Sequence, residues 1–228
     1  MSMKMTRRTL VSLLPVAGLV ACGTSKENAG DASATASAST TTSPAATGVR
    51  TDEGYQLNSV TEGAPTVTLY TDLMCPYCAK ADPTYREAAS KLDGIMNVTV
   101  RHFPLPKHAN AVPAAQAVQA AEAQGAYVQM AEHLYTHQED WKAITDTDQF
   151  NTLMGDYAQQ LGLDRTRFEQ DLPNEESLTL IKQEYQEGVD AGVKGTPSFV
   201  INGTALDNVD SATSVSDMVA AFKKAAGL

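Results

Sequence analysis

The sequence predicts an α/β domain in the order strand, helix, strand, then a block of helices, then strand, strand, helix, and three observations carry that prediction. An alternating run, Thr66-Val67-Thr68-Leu69-Tyr70, stands just before a Cys75-Pro76-Tyr77-Cys78 motif that opens a helix. From about residue 108 to 191 the apolar spacing becomes helical. After it, Gly195-Thr196-Pro197 leads into a short apolar run and an Asn202-Gly203 turn, a strong hairpin signal.

Taken in order, the 228-residue chain begins with a basic stretch (Lys4, Arg7, Arg8) and an apolar one from Leu10 to Val20. That apolar run is too short to span a bilayer, which needs about 20 helical residues, and fits the core of a secretory signal over residues 1–21. Thr6-Arg7-Arg8 leaves open whether export follows the general or the twin-arginine route. The signal closes on Leu19-Val20-Ala21-Cys22, which resembles a bacterial lipobox and makes Cys22 the expected lipidation site. Between Gly23 and Gly48, 18 of 26 residues are Ala, Ser or Thr. Such a segment buries too little surface to offset its ordering entropy, and as a flexible coil its 26 residues reach about 28 Å root-mean-square, so residues 22–53 are expected to be a tether, with the folded domain at 54–228.

Within that domain Thr66–Tyr70 is the first expected strand. A helix then begins at Pro76, a residue suited to a first helical turn, and runs through Lys80 to Leu92, with Gly94 ending it. Asn97–Phe103 alternates again as a strand, and a parallel strand reached through a helix implies a right-handed crossover. Four or five helices are expected to follow, punctuated by Gly125, Gly155, Gly162 and Pro173. Ser198–Ile201 is a buried strand, Thr204–Leu206 its return, and Ser214–Ala226 a terminal helix.

The chain carries 17 basic and 27 acidic residues, a formal charge of −10. That balance speaks against binding nucleic acid or anionic lipid through charge. Two cysteines spaced C-x-x-C lie on one helical turn and suit either reversible disulfide chemistry or half a zinc site. A cysteine at a helix N-terminus has its thiolate favoured by free N–H groups and the helix dipole. Cys75 is therefore the expected exposed nucleophile and Cys78 the buried resolving thiol, with Tyr77 between them. Other ionisable groups are weaker candidates. His133 and His137 are spaced i, i+4 with no third ligand, so no metal site is assigned. His102 and His108 are expected in packing or rim positions, and Trp141 with Tyr127, Met130, Leu134 and Tyr135 in the helical core or on a hydrophobic rim.

Three segments together, Asp72-Leu73-Met74-Cys75-Pro76-Tyr77-Cys78, Arg101-His102-Phe103-Pro104-Leu105 and Val193-Lys194-Gly195-Thr196-Pro197-Ser198-Phe199-Val200-Ile201-Asn202-Gly203, resemble the bacterial DsbA-like thioredoxin family over roughly residues 60 to 226. The resemblance implies a thioredoxin-like fold with a helical insertion and extracytoplasmic thiol-disulfide oxidoreductase activity. The same resemblance places Thr196 and a cis Pro197 against the sulfurs, at a groove for an extended substrate segment, with Pro76, Tyr77 and Asp72 in support. It calls for no cofactor. Relatives often carry a buried Glu six residues before the first cysteine, where this chain has Leu69, so Asp72 is a candidate replacement or simply a cap at the helix entry. The implied partners are reduced or unfolded exported proteins and a membrane redox protein, with the lipid on Cys22 as the anchor. An oxidase that forms disulfides in exported proteins is the leading expectation. A reductase of the same fold, and a non-catalytic lipoprotein that carries Cu(I) through Cys75, Cys78 and Met74 or binds substrate, are the alternatives.

Overall fold

A computed structural model describes residues 48–228. The expected signal, Cys22 and most of the tether lie outside the described residues. A six-stranded sheet runs in the order β1-β2-β4-β3-β5-β6, with β3 (Thr66–Thr71) and β4 (Asn97–His102) parallel at its centre. All other neighbours pair antiparallel: β1 (Arg50–Thr51) with β2 (Gly54–Gln56), β2 with β4, β3 with β5 (Ser198–Ile201), and β5 with β6 (Thr204–Ala205).

The first two strands were not expected, and they move the start of the domain from residue 54 to residue 50 or earlier. Arg50-Thr51 and Gly54-Tyr55-Gln56 are too short and too polar to alternate visibly. What folds them is the open edge of β4, which pairs Tyr55 with Val100. Gly54 is required there, because at φ 119° an added Cβ would lie 2.7 Å from the Val100 carbonyl oxygen.

Between β3 and β4 the chain forms α1 (Pro76–Lys91), with Cys75 at its N-cap. The alternation of β3 sends Val67 and Leu69 into the larger core, with Tyr85 of α1 and Phe199, while Tyr70 joins Phe103, Val193 and Val200 in a smaller cluster. Helix α8 (Val215–Ala226), capped by the Ser214 hydroxyl on the Asp217 N–H, adds Phe222 to the larger core. Over the smaller cluster lies α7 (Glu175–Asp190), whose Tyr185 stacks on Phe103 with centroids 4.6 Å apart. Gly188 permits that approach, since a Cβ there would meet Phe103 at 2.7 Å and Tyr70 at 2.8 Å.

The insertion contains six helices rather than four or five: α2 (Ala111–Glu122), α3 (Tyr127–Thr136), α4 (Gln138–Trp141), α5 (Thr147–Gln160), α6 (Arg165–Asp171) and α7. Gly125 and Gly162 follow helices with positive φ, as punctuation should. Gly155 does not break its helix. It sits inside α5, where a Cβ would come within 2.7 Å of the Glu169 carboxylate on α6. Trp141 is fully buried and donates its indole N–H to the Leu134 carbonyl at 3.0 Å, so it belongs to the core and not to a rim. At the far end of the sheet, Asn202 and Gly203 both adopt positive φ, 51° and 72°, as the hairpin signal requires.

Candidate active site

Strand β3 ends at Thr71 and the chain turns through Asp72, Leu73 and Met74 into α1, which puts Cys75 and Cys78 on one helical turn. Both are free thiols. Both are also buried, at 3% and 2% exposure, so Cys75 is not the exposed residue the sequence suggests. Tyr77 is 64% exposed and forms the outer rim between them. Gln138 of α4 holds the turn from behind, its amide donating to the carbonyls of Leu73 at 2.7 Å and Cys75 at 3.2 Å.

The loop before β5 supplies the opposite wall. The Thr196-Pro197 peptide is cis, and the Thr196 carbonyl accepts a hydrogen bond from the Cys75 thiol at 3.3 Å. The Thr196 hydroxyl is buried, takes no other partner, and lies close enough to favour the Cys75 thiolate. Two segments more than a hundred residues apart thus meet across the sulfurs.

The two thiols are driven in opposite directions. A hydrogen bond from Cys78 is the largest influence on Cys75; against the cost of burial, it acts with Thr196 and the N–H groups of Cys78 and Tyr77 to bring the Cys75 pKa down from 9.0 to about 5. Burial pushes Cys78 well up, and its proximity to Cys75 adds to the rise, with only partial relief from the Asp72 N–H and the Thr71 hydroxyl. A thiolate nucleophile next to a protonated partner is the pairing that thiol-disulfide exchange requires.

Asp72 does not cap α1 with its side chain. Its carboxylate is buried and accepts from the Met74 N–H at 2.7 Å, the Leu105 N–H at 2.8 Å and His108 Nδ1 at 2.7 Å, tying the site to the segment after β4. His108 is therefore a partner of that carboxylate rather than a rim residue. His102 is buried, and burial together with the Arg50 charge lowers its pKa to about 3, so it stays neutral. His133 and His137 stack on each other at 4.1 Å and beside Tyr157, and no cluster of three metal-ligating side chains occurs among the described residues. Gln138, Thr71 and His108 were not legible as site residues. Each reaches the site through a contact spanning from several to 65 positions, and nothing local marks it.

A family model described as thioredoxin matches residues 61–221. Among solved structures, a thioredoxin-like oxidoreductase from Silicibacter pomeroyi DSS-3 is similar with a TM-score of 0.57 at 24% identity, over 73% of this chain and 89% of that one. The MdbA protein, a thiol-disulfide oxidoreductase from Corynebacterium diphtheriae, gives a TM-score of 0.59 at 19% identity, over 73% and 90%. At those identities the likeness is one of fold. A further 143-residue match, 36% identical, is to the Na(+)/H(+) antiporter NhaA 1 of Salinispora arenicola, over 62% of this chain and 21% of that protein. The chain thus spans about a fifth of the length of the curated relatives it matches, and no helix of its described residues is long and apolar enough to cross a membrane.

Proposed function

The chain belongs to the thioredoxin family, and we propose that it is an extracytoplasmic thiol-disulfide oxidoreductase that forms disulfides in exported proteins through Cys75 and Cys78. One observation carries the reading: the Cys75 pKa of about 5 beside a buried, protonated Cys78. A stabilised thiolate makes the reduced protein the comfortable state, so the disulfide is a ready oxidant. The substrate thiolate attacks Cys75, the Cys75–Cys78 bond breaks, and a second substrate thiol displaces Cys75 to leave a substrate disulfide and the protein dithiol. Tyr77 offers the approaching chain an exposed aromatic surface. No cofactor enters this scheme. The signal-like segment at 1–21 and the lipobox ending in Cys22 support a location outside the cytoplasm with a lipid anchor, and a membrane protein that reoxidises the dithiol completes the cycle.

Glutathione equilibration of the domain tests the direction. Thioredoxin itself lies at about −270 mV and strong oxidants of this fold at about −120 mV. A potential above roughly −200 mV is expected; a value close to that of thioredoxin overturns the oxidase in favour of a reductase of the same fold. A Cu(I) carrier would bind one ion across the two thiolates and fail to exchange with glutathione.

A further inference from the structure

Breaking the Cys75–Cys78 bond leaves the electron pair on Cys78, whose burial makes a lasting thiolate costly. A proton must reach it. Leu69 lies in the apolar core and offers none, and the Asp72 carboxylate is committed to Met74, Leu105 and His108.

Another set of groups leads away from Cys78 toward solvent. The Thr71 hydroxyl faces the Cys78 sulfur on one side, and on the other lies 2.7 Å from the phenol oxygen of Tyr135 on α3. Tyr135 and Thr71 line a cavity of about 20 Å³ that also contains Asp82 and Arg86. That volume is enough for one water molecule, and Thr71, Tyr135, Asp82 and Arg86 bring polar groups to a lining otherwise made mostly of Leu, Val and Ala side chains. Asp82 stands on α1 one turn past Cys78. Its side chain is 16% exposed and accepts from Arg86 at 2.9 Å, and Arg86 in turn reaches Glu132, on the surface face of α3, at 3.1 Å. Thr71 and Tyr135 are thus in direct contact on one side of the cavity, and Asp82 and Arg86 lead from its other side to the surface.

We propose that Thr71, Tyr135 and Asp82 relay the proton between Cys78 and solvent, an inference that rests on reading Cys75 and Cys78 as the exchange site. When a substrate thiolate attacks Cys75, the substrate sulfur bonds to Cys75 as the Cys75–Cys78 bond breaks. Cys78 takes the Thr71 hydroxyl proton, Thr71 takes that of the Tyr135 phenol, and Tyr135 takes one from the Asp82 carboxylic acid across the cavity. Substrate thiolate, protein disulfide and Asp82 acid become mixed disulfide, Cys78 thiol and Asp82 carboxylate, and solvent returns the proton to Asp82. Burial raises the Asp82 pKa and Glu132 adds to it, against the pull of Arg86, so the carboxyl keeps a proton to higher pH than an exposed one.

The test is the single-turnover reduction of the oxidised protein by dithiothreitol, expressed per dithiothreitol thiolate. Tyr135→Phe keeps the ring and removes the relay oxygen, and should slow the reaction on the order of a hundredfold, the low end for a positioned proton-transfer group. For the wild type the rate per thiolate should fall as pH rises and Asp82 loses its proton, and Asp82→Asn should abolish that dependence. Thr71→Val should be slow and Thr71→Ser close to wild type, a comparison that stands even where one variant folds poorly. Rates within twofold of wild type in Tyr135→Phe and Asp82→Asn, with an unchanged pH profile, overturn the relay. If the wild-type disulfide does not exchange at all, it is the reading of the dithiol that fails.

Discussion

At Arg50 a half-buried cation is met by two carboxylates, whereas at Cys75 a buried anion is met by dipoles alone. The Arg50 guanidinium binds Glu122 of α2 at 2.6 Å and Glu184 of α7 at 2.7 Å, and sits over the stacked rings of Tyr55 and Tyr127. The second oxygen of Glu184 accepts the His102 N–H at 2.7 Å. Burial opposes the Arg50 charge, but the Glu122 hydrogen bond and the surrounding carboxylates outweigh it and raise its pKa. Cys75 instead relies on the Cys78 thiol, Thr196 and helix N–H groups. The difference follows from what each charge must do. A permanent ion is best neutralised by counter-ions, which would be left uncompensated if it vanished. An anion that disappears whenever a disulfide forms is better held by neutral donors, which leave no net charge behind.

The sharpest way to break the comparison is Arg50→Ala. It strands Glu184, which is 2% exposed, beside Glu122, and one-sided removal of a buried ion pair costs about 3–5 kcal/mol. Because Arg50 is itself partly exposed, a loss of about 2–4 kcal/mol is expected, a fall in melting temperature on the order of 10 °C for a domain of this size. The pH dependence of Cys75 alkylation should not move, since no counter-ion at Arg50 supports that thiolate.

A smaller effect distinguishes the redox states. The Cys75 pKa is depressed in the fold, so its stabilisation is fully present above pH 9 and is lost as pH falls through about 5. At pH 7 it contributes about 2–3 kcal/mol to the reduced protein. The disulfide closes only a four-residue loop and returns about 2 kcal/mol to the oxidised one through the unfolded chain. Calorimetry should therefore show the reduced domain melting higher at pH 7, by up to about 4 °C, with the order reversed by pH 5. An oxidised form that melts higher at both values would mean that the dipoles around Cys75 are weaker than their geometry implies.

The smallest change should come from an ion pair that belongs to neither cluster. Lys91→Ala removes a pair with Glu87 at 3.3 Å in which both side chains are more than half exposed. Chemical denaturation should register less than about 0.5 kcal/mol.

Local chemistry by itself determined a good part of this protein. Alternation marked β3 and β4, a short apolar run after Thr196-Pro197 marked β5, and Asn202-Gly203 marked the hairpin, because each depends on side chains within a few positions. Cys75, Cys78 and Pro197 were equally legible, their spacing and neighbours being the signal. Tertiary structure alone decided the rest. Strands β1 and β2 exist because β4 has an edge to complete, and Gly155 stays inside a helix because α6 packs against it. Gln138, His108 and Tyr135 reach the dithiol, or the groups around it, only through contacts between distant segments. The burial of Cys75 belongs to the same class. Its thiolate was predicted from a helix start, but Cys78 and the Thr196 loop contribute more, and no helix start reveals what folds over it.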